Sequence, residues 1–289
     1  MTELIIPNES ARVEPRPPGQ VNSEVLAEYE KTVRTWGIPN NLIRTMAAMP
    51  QLALTEVDYA NAFIFDVDKF CMWPQPGNSN QQVPFPTAGF VDRGTKELVI
   101  NLVSLLNRSR YSITHHSFIG FVTLQGMFDA RKAEALLLHL ADNQGKPTYL
   151  KAPADLYTPF QIESLKLAEK IQNSTGHGVS DAEIVELRQL MRQEAAQRLE
   201  GENERRADNE KLPVDAAYTN AYIDGMLVEL TWCICHFGGL LNKWFTVLRV
   251  RDEDYPVAGG NTFVQNYEAV VPESIKQRNN AVLGANGWG

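Results

Sequence analysis

Cysteine is scarce in this 289-residue sequence, which contains three: Cys71, Cys233 and Cys235. Three cysteines do not make a disulfide framework, and Cys233 and Cys235 would point to different sides of a helix. A reducing, cytoplasmic compartment is therefore the simpler expectation. The N-terminus agrees, because it carries Glu3 in place of a basic region and has no apolar stretch of signal-peptide length.

Long apolar runs and an excess of positive charge are also missing. The closest approach to an apolar run lies between Leu230 and Asn242, is bounded by Glu229 and Lys243, and falls short of the roughly 18 residues that a membrane span needs. The formal net charge is −8. Nucleic-acid and anionic-membrane binding both need clustered positive charge. The sequence therefore predicts neither kind of partner.

Alternating strand patterns are absent as well, whereas helical patterns recur along most of the chain. Apolar residues at three- and four-residue spacing, with caps and prolines at the ends, indicate an all-α protein. Helices are predicted at residues 23–36, 41–49, 55–70, 95–106, 109–127, 130–142 and 159–173, from 181 onward, and at 214–250.

The chain is expected to form one domain over residues 21–289, preceded by an arm. Residues 1–20 contain four prolines and read as extended. Residues 73–89 contain four more and must form a long loop, of the kind that often serves as a lid or an oligomer contact. A charge-rich stretch around 192–212 is interpreted as an insertion that forms a solvated helix end and a linker.

The most informative polar residues lie between positions 97 and 116. At 100° per residue, Ser109, Ser112 and His116 fall within about 60° of each other, apart from the apolar face around Ile113. Both serines are in the first turn of the predicted helix, where free N–H groups and the helix dipole favour an anion. Taken alone, such a stripe is also typical of a solvated helix face.

The spacing of these residues resembles a known signature. The spacing is Glu-x11-Ser-x2-Ser-x3-His, formed by Glu97, Ser109, Ser112 and His116. It is similar to the Glu-x11-Cys-x2-Cys-x3-His pattern of the carboxymuconolactone decarboxylase and alkylhydroperoxidase D-like superfamily. The doubled His115-His116 is familiar there too. This chain has serine at both cysteine positions.

Other segments extend the resemblance over roughly residues 37–289. GIPNNLIRTMAAMP at 37–50 is similar to the family's opening segment, and the terminal NNAVLGANGWG resembles common endings. The stretch from Tyr157 to Leu241-Asn242-Lys243 looks like the helices that follow the motif. The resemblance implies an alkylhydroperoxidase D-like helical domain that assembles with itself as a trimer or a multiple of three.

Roles carried over by resemblance make Glu97 and His116 an acid–base relay. Ser109 and Ser112 occupy the positions of the resolving-type and peroxidatic-type cysteines. A serine hydroxyl provides neither a thiolate nucleophile nor a disulfide, so the peroxidase chemistry of this motif is not expected. The neighbouring Tyr111 is a candidate substrate contact. His115 is another, although packing or partner contact is the more usual role of such a histidine.

Three functions remain open after the loss of the thiol pair. The decarboxylase branch of the superfamily works without metal or organic cofactor, which implies a lyase, decarboxylase or isomerase acting on a small organic acid, lactone or related carbonyl compound. In that case Ser109 and Ser112 donate hydrogen bonds to the substrate anion. A hydrolase with Ser112 as nucleophile, His116 and Glu97 is the second hypothesis. A non-catalytic binding or assembly protein is the third.

A second polar stripe is predicted on the final helix. Drawn as a regular helix, Tyr222, Glu229, Cys233, His236 and Lys243 share one face, and such a buried stripe is costly unless its members satisfy each other or a ligand. We interpret it as a pocket wall in which Tyr222, Glu229 and His236 contact substrate. The alternatives are an internal network or an oligomer seam. Glu229, Cys233 and His236 could also ligate zinc, but their spacing matches no strong signature and no metal is predicted. An apolar surrounding would make Cys233 inert.

Overall fold

The computed structural model describes residues 11–36, 40–63, 90–174, 176–208, 218–255 and 261–284. The described ranges contain helices, a single isolated bridge between Ala141 and Pro147, and no strand. The prediction of an all-α protein is confirmed. The α-helices are α1 (Ser23–Trp36), α2 (Asn41–Met46), α3 (Pro50–Phe63), α4 (Arg93–Leu106), α5 (Arg110–Met127), α6 (Ala130–Leu138), α7 (Pro159–Ser174), α8 (Asp181–Asp208), α9 (Tyr218–Ile234), α10 (Asn242–Leu248), α11 (Phe263–Val270) and α12 (Glu273–Leu283).

Helices α4 and α5 form the centre of the molecule. Asp92 caps α4 by accepting a hydrogen bond from the Thr95 N–H. The chain reverses at Arg108, which has a positive φ of 50°, and Ser109 then becomes the N-cap of α5. Every residue of α5 from Arg110 to Phe121 is buried, because α4, α6, α10, α11 and α12 all pack against this helix. The solvated-face interpretation of the serine stripe is therefore wrong.

The predicted helices around this centre are present, with shifted ends. The predicted 55–70 helix is α3, which begins at Pro50, and the predicted 130–142 helix is α6, which stops at Leu138. The capping box predicted before α8 is present, since Ser180 and Glu183 exchange hydrogen bonds. The charge-rich insertion is helical as far as Asp208.

Two short C-terminal helices, α11 and α12, were not predicted from the sequence. Helix α11 nevertheless begins with a clear signal, a capping box between Thr262 and Gln265. Buried Phe263 and Tyr267 of α11 and Ile275 of α12 extend the apolar core. These helices cover α5 and α6 on one side.

The predicted single helix over 214–250 is wrong in its middle. Helix α9 ends at Ile234, a π-helix occupies Cys235–Leu241, and α10 then continues to Leu248. A π-helix has i→i+5 hydrogen bonds and more residues per turn than an α-helix. The residues that follow it therefore point in directions that a regular α-helix does not predict. The bend predicted at Gly238-Gly239 falls inside this segment.

Several predicted features lie outside the described residues: arm residues 1–10, the loop at 73–89, Cys71 and the last five residues. The single-domain boundary at residue 21 stays a prediction. Across the ranges that the structure describes, no helix is both long enough and apolar enough to cross a membrane.

Candidate active site

Glu97 and His116 meet between the two central helices. The Glu97 side chain is fully buried and its Oε2 lies 3.0 Å from Nδ1 of His116, which is 8% exposed. A carboxylate can only accept, so Nδ1 carries the proton of this hydrogen bond. The other ring nitrogen, Nε2, makes no hydrogen bond within the described part of the chain. The hydrogen bond at Nδ1 therefore orients the imidazole, and Nε2 has no hydrogen-bond partner in the described part of the chain.

Arg93 completes this arrangement one helical turn before Glu97. Its guanidinium Nη2 lies 2.5 Å from Glu97 Oε1, and both side chains are buried. Burial by itself would raise the pKa of Glu97, but Arg93 and then His116 outweigh it, so the pKa of this carboxyl lies below its ordinary value. Glu97 is therefore ionised, and its negative charge faces the imidazole.

Asn101 ties the two helices together beside the pair. Its Nδ2 donates to the carbonyl oxygens of both Glu97 and His116, each at 2.8 Å. Gly120 of α5 makes room for it, because a Cβ at that position would stand 2.7 Å from the same Nδ2. The backbones that carry Glu97 and His116 are thereby fixed relative to each other.

The two serines of the motif have different environments. Ser112 Oγ lies 2.7 Å from Ser104 Oγ, and Ser104 in turn donates to the Ile100 carbonyl at 2.6 Å. Since each hydroxyl has one proton, Ser112 is the donor to Ser104. Ser109 is fully buried, and its Oγ has no hydrogen-bond partner among the described residues.

Lys96 of α4 forms a second buried ion pair, with Glu229 of α9. Glu229 also accepts from the backbone N–H groups of Phe90 and Val91. Burial lowers the pKa of Lys96, an effect that Glu229 only partly reverses. These contacts satisfy Glu229 within the protein.

Cys233 is fully buried close to both ion pairs. Burial raises the pKa of its thiol to about 12, and the charges that act on it include Lys96 and Glu97. The prediction that burial would make this thiol inert agrees with that value. Cys235, in contrast, is exposed.

The polar stripe of the final helix is divided, contrary to prediction. Glu229 and Cys233 precede the π-helix and are near α4, whereas His236 lies within it and its Nε2 pairs with Glu56 Oε1 of α3 at 3.0 Å. Lys243 is exposed. Tyr222 is half-buried, and its hydroxyl donates to the Phe90 carbonyl at 3.3 Å.

His236 still lies close to the Glu97–His116 pair. The Phe237 ring makes edge contacts with both imidazoles, at centroid distances of 4.9 Å to His116 and 5.4 Å to His236. Of the five side chains in the predicted stripe, His236 is therefore the one that shares a neighbouring ring with His116.

His115 belongs to a separate network on another side of α5. Its Nδ1 donates to the Tyr111 carbonyl at 2.8 Å and its Nε2 lies 2.7 Å from Glu253 Oε2. The ring is stacked between Tyr111 and Phe263, each at 3.9 Å. Burial disfavours the charged imidazole, but Glu253 outweighs it and raises the pKa of His115.

Glu253 gives this network a structural role. It is fully buried and accepts hydrogen bonds from the Asn41 N–H at 2.6 Å and from the Tyr111 hydroxyl at 2.9 Å. The network therefore joins the start of α2, the first turns of α5 and the segment after α10. Tyr111 and His115 were predicted as substrate contacts, and the structure places them here with all their polar groups engaged.

The residues that sequence reasoning missed are mostly charge partners. Arg93 had a signal, since it lies four residues before Glu97 in an apolar helix. Glu56 and Glu253 had none, because their partners are more than 130 residues away in the chain. Within the described ranges, no group of three or more His, Cys, Asp or Glu side chains is placed to hold a metal ion.

Comparison with solved structures identifies the architecture. The crystal structure of an alkylhydroperoxidase AhpD core, an uncharacterized peroxidase-related protein from Ralstonia eutropha JMP134, superimposes with a TM-score of 0.52 at 16% identity, over 84% of this chain and 93% of that one. The chain has an AhpD-like fold. An uncharacterized peroxidase-related protein from Silicibacter sp. TM1040 gives a TM-score of 0.50 at 14% identity, over 86% and 94% of the two chains.

The likeness is one of fold, because identities this low carry no chemistry across. No protein-family model matches the sequence, and no curated protein matches it either. The function of this AhpD-like chain must therefore be argued from its own side chains.

Proposed function

We propose that this chain is a cofactor-independent acid–base enzyme that moves a proton on a small organic acid, lactone or related carbonyl compound. The reaction class is that of a lyase, decarboxylase or isomerase. The observation that carries the proposal is the state of His116, which is oriented by a buried carboxylate at Nδ1 and has no hydrogen-bond partner for Nε2 in the described part of the chain.

Glu97 makes His116 suitable for this work in two ways. The hydrogen bond to Nδ1 places the lone pair of the neutral imidazole on Nε2, where it can take a proton. When Nε2 accepts a proton from the carbon next to a carbonyl group, the ionised Glu97 stabilises the imidazolium that forms. The same imidazolium then returns the proton to the product.

The start of α5 supplies the means to stabilise the enolate. Its first turn has free N–H groups and the positive end of the helix dipole. Ser109 is the N-cap of this helix, and its hydroxyl has no partner among the described residues, so it can donate to an oxyanion. Ser112 supports this turn through its hydrogen bond to Ser104. Such preorganised donors stabilise developing charge without reorganising during the reaction.

The competing chemistries have less support. A serine hydrolase needs the nucleophilic hydroxyl to donate to the base, but Ser112 donates to Ser104 and makes no hydrogen bond with His116. Thiol peroxidase activity needs a reactive cysteine pair at the motif, which serine replaces at both positions. We therefore propose neither.

The proposal is tested by proton exchange, which requires no knowledge of the physiological product. Wild-type protein is incubated in D2O with a panel of lactones, β-keto acids and 2-oxo acids, and NMR follows deuterium uptake at the carbon beside the carbonyl and any loss of carboxylate. We expect at least one compound class to exchange or decarboxylate with multiple turnovers and without added metal or cofactor.

Two results would count against an enzyme of this class. Complete inertness toward the panel, combined with saturable binding of one of its members, would favour the non-catalytic binding protein. Accumulation of a covalent acyl adduct on Ser112, seen by mass spectrometry after lactone addition, would favour the hydrolase.

A further inference from the structure

A chain of buried hydrogen bonds runs from helix α12 to the Glu97–His116 pair. Asn279 of α12 is 2% exposed, and its Nδ2 donates to Ser117 Oγ of α5 at 2.9 Å. The same Ser117 Oγ lies 3.4 Å from Oδ1 of Asn101 on α4. Asn101 is the residue whose Nδ2 bridges the carbonyl oxygens of Glu97 and His116. Buried polar side chains on three helices therefore connect α12 with the backbones that carry the pair.

The α12 end of this chain fixes the orientation of the Asn279 amide. Arg278 Nε donates to Asn279 Oδ1 at 2.9 Å. A guanidinium can only donate, so the oxygen of the amide faces Arg278 and the nitrogen faces α5. The guanidinium is itself anchored at the end of α6, where its Nη1 donates to the Leu137 carbonyl at 3.1 Å. Asn279 is therefore the donor to Ser117, and the serine hydroxyl is the acceptor.

The opposite end fixes the Asn101 amide in the same way. Its nitrogen faces two carbonyl oxygens, which can only accept, so its Oδ1 is the acceptor that faces Ser117. Because Ser117 accepts from Asn279, its own proton is available for Asn101, whose Oδ1 is the one acceptor it reaches in the described part of the chain. The direction of the chain is thus set at both ends. Hydrogen bonds that run in one direction polarise and strengthen each other.

The Ser117 proton determines how firmly the Asn101 amide is held. Asn101 is 1% exposed, and a buried acceptor that loses its donor is costly. Turning the amide over would place its oxygen against the two carbonyl oxygens that its nitrogen now bridges. Either outcome would weaken the link between α4 and α5 at Glu97 and His116.

We infer that Asn279 is a positioning residue of the candidate active site. Through Ser117 it holds the Asn101 amide in the orientation that bridges the two central helices, and it thereby keeps Nδ1 of His116 against Glu97. Asn279 makes no hydrogen bond to either member of the pair, so it acts only through the chain. The inference rests on the proposed function, because the pair is positioned for a reaction only if His116 is the base.

The test is Asn279→Asp, a change that keeps the shape of the side chain but removes its donor. Arg278 gains an acidic partner, and the Tyr267 hydroxyl, which accepts from Asn279 at 3.1 Å, can donate to the carboxylate instead, so folding should be preserved. Ser117 is then expected to turn its proton toward the carboxylate and away from Asn101. Tyr267→Phe is the matched control, because it removes a hydrogen bond from the same Asn279 nitrogen and leaves the chain to Asn101 intact.

The readout is the Nδ1–H signal of His116 in ¹H–¹⁵N NMR, which reports on the hydrogen bond to Glu97 without any substrate. In Asn279→Asp we expect this proton to move upfield and to exchange with solvent about fivefold faster than in wild type, the factor that one neutral hydrogen bond is worth. In Tyr267→Phe it should keep the wild-type shift and exchange rate. A wild-type signal in folded Asn279→Asp overturns the inference, and so does an equal change in the control.

A second pair of variants introduces no charge into the core. Ser117→Thr and Ser117→Val add nearly the same volume, but only threonine keeps the hydroxyl that joins Asn279 to Asn101. We expect the His116 Nδ1–H to exchange about fivefold faster in the valine variant than in the threonine variant. Equal exchange in the two overturns the inference.

Activity separates this inference from the proposed function. On any compound that wild type turns over, Asn279→Asp should lower kcat about fivefold with little change in KM, since the base is displaced and no binding contact is lost. The expected change in the Nδ1–H signal in a protein that turns over nothing would support the positioning and count against the proposed function. An unchanged signal and an unchanged kcat in an active enzyme would overturn the positioning and leave the proposed function standing.

Discussion

Two adjacent histidines, His115 and His116, differ in what the protein does with their second nitrogen. Both are buried on α5, and each pairs with a fully buried glutamate, Glu253 for His115 and Glu97 for His116. His115 has both nitrogens engaged and its ring stacked between two aromatic rings. His116 has one nitrogen engaged and the other without a hydrogen bond in the described part of the chain.

The difference teaches that a glutamate–histidine pair is not in itself a catalytic signature. At His115 the pair joins three segments of the chain, and nothing is left with which to meet a substrate. At His116 the same pair fixes the ring and leaves Nε2 available.

The largest effect is expected from His116→Gln, with His115→Gln as the matched control. Loss of the base should reduce exchange or turnover on any active compound by about 10²- to 10⁴-fold, the usual contribution of general acid–base catalysis. His115→Gln should retain most of the activity and instead unfold at lower denaturant concentration. Rates from the NMR exchange assay and urea midpoints check both statements. Equal rates in the two variants would contradict this division of roles.

Glu97→Gln and Glu253→Gln are expected to lower the free energy of unfolding by different amounts. Glu97→Gln removes the negative charge that pairs with the buried guanidinium of Arg93, and breaking a buried ion pair costs about 3–5 kcal/mol. When Glu253 is replaced, His115 can release its proton and become neutral. The free energy of unfolding should therefore fall by less than in Glu97→Gln. Urea unfolding of both variants measures the two costs. A larger loss for Glu253→Gln would show that the charge of Arg93 is compensated elsewhere.

The pH dependence of stability is expected to come from His115. The folded protein raises the pKa of His115 above its ordinary value of 6.5, so this contribution is complete below that value and is lost as the pH rises through the folded pKa. Glu253 has a lowered pKa, so its contribution is present above its ordinary value of 4.5 and is lost as the pH falls through the lowered value. The stability advantage of wild type over His115→Gln should therefore shrink as the pH rises above 6.5. A difference that stays constant as the pH rises would contradict the ion pair.

The smallest effect is expected at Ser112. Ser112→Ala removes a neutral hydrogen bond to Ser104 and should lower the free energy of unfolding by about 1 kcal/mol. Turnover should fall by less than about tenfold, since the hydroxyl is not the nucleophile in the proposed reaction. A loss of activity as large as that of His116→Gln would revive the serine hydrolase.

The sequence is a good guide to the centre of this fold and a poor one to its periphery. The helical layout around α4 and α5 follows from periodicity, caps and prolines, and the spacing of Glu97 and His116 brings them together across a tight reversal at Arg108. Drawing every residue at 100° did not predict the π-helix at Cys235–Leu241, which interrupts the predicted stripe between Cys233 and Lys243.

Charge pairs between residues far apart in the chain are the second feature that could not be predicted from the sequence. Glu253 reaches His115 and Glu56 reaches His236 across distances in sequence at which no periodic pattern operates. Arg93, four residues from Glu97 on a buried helix, is the one charge partner that local spacing could have supplied.

The most direct test of the central claim is the protonation pattern of the two imidazoles, measured by long-range ¹H–¹⁵N NMR on the wild-type protein. We expect neutral His116 to carry its proton on Nδ1, toward Glu97, and to have an unprotonated Nε2, while His115 stays protonated on both nitrogens to a higher pH than an ordinary histidine. A proton on Nε2 of neutral His116, with Nδ1 unprotonated, would contradict the pairing with Glu97 and with it the proposed base.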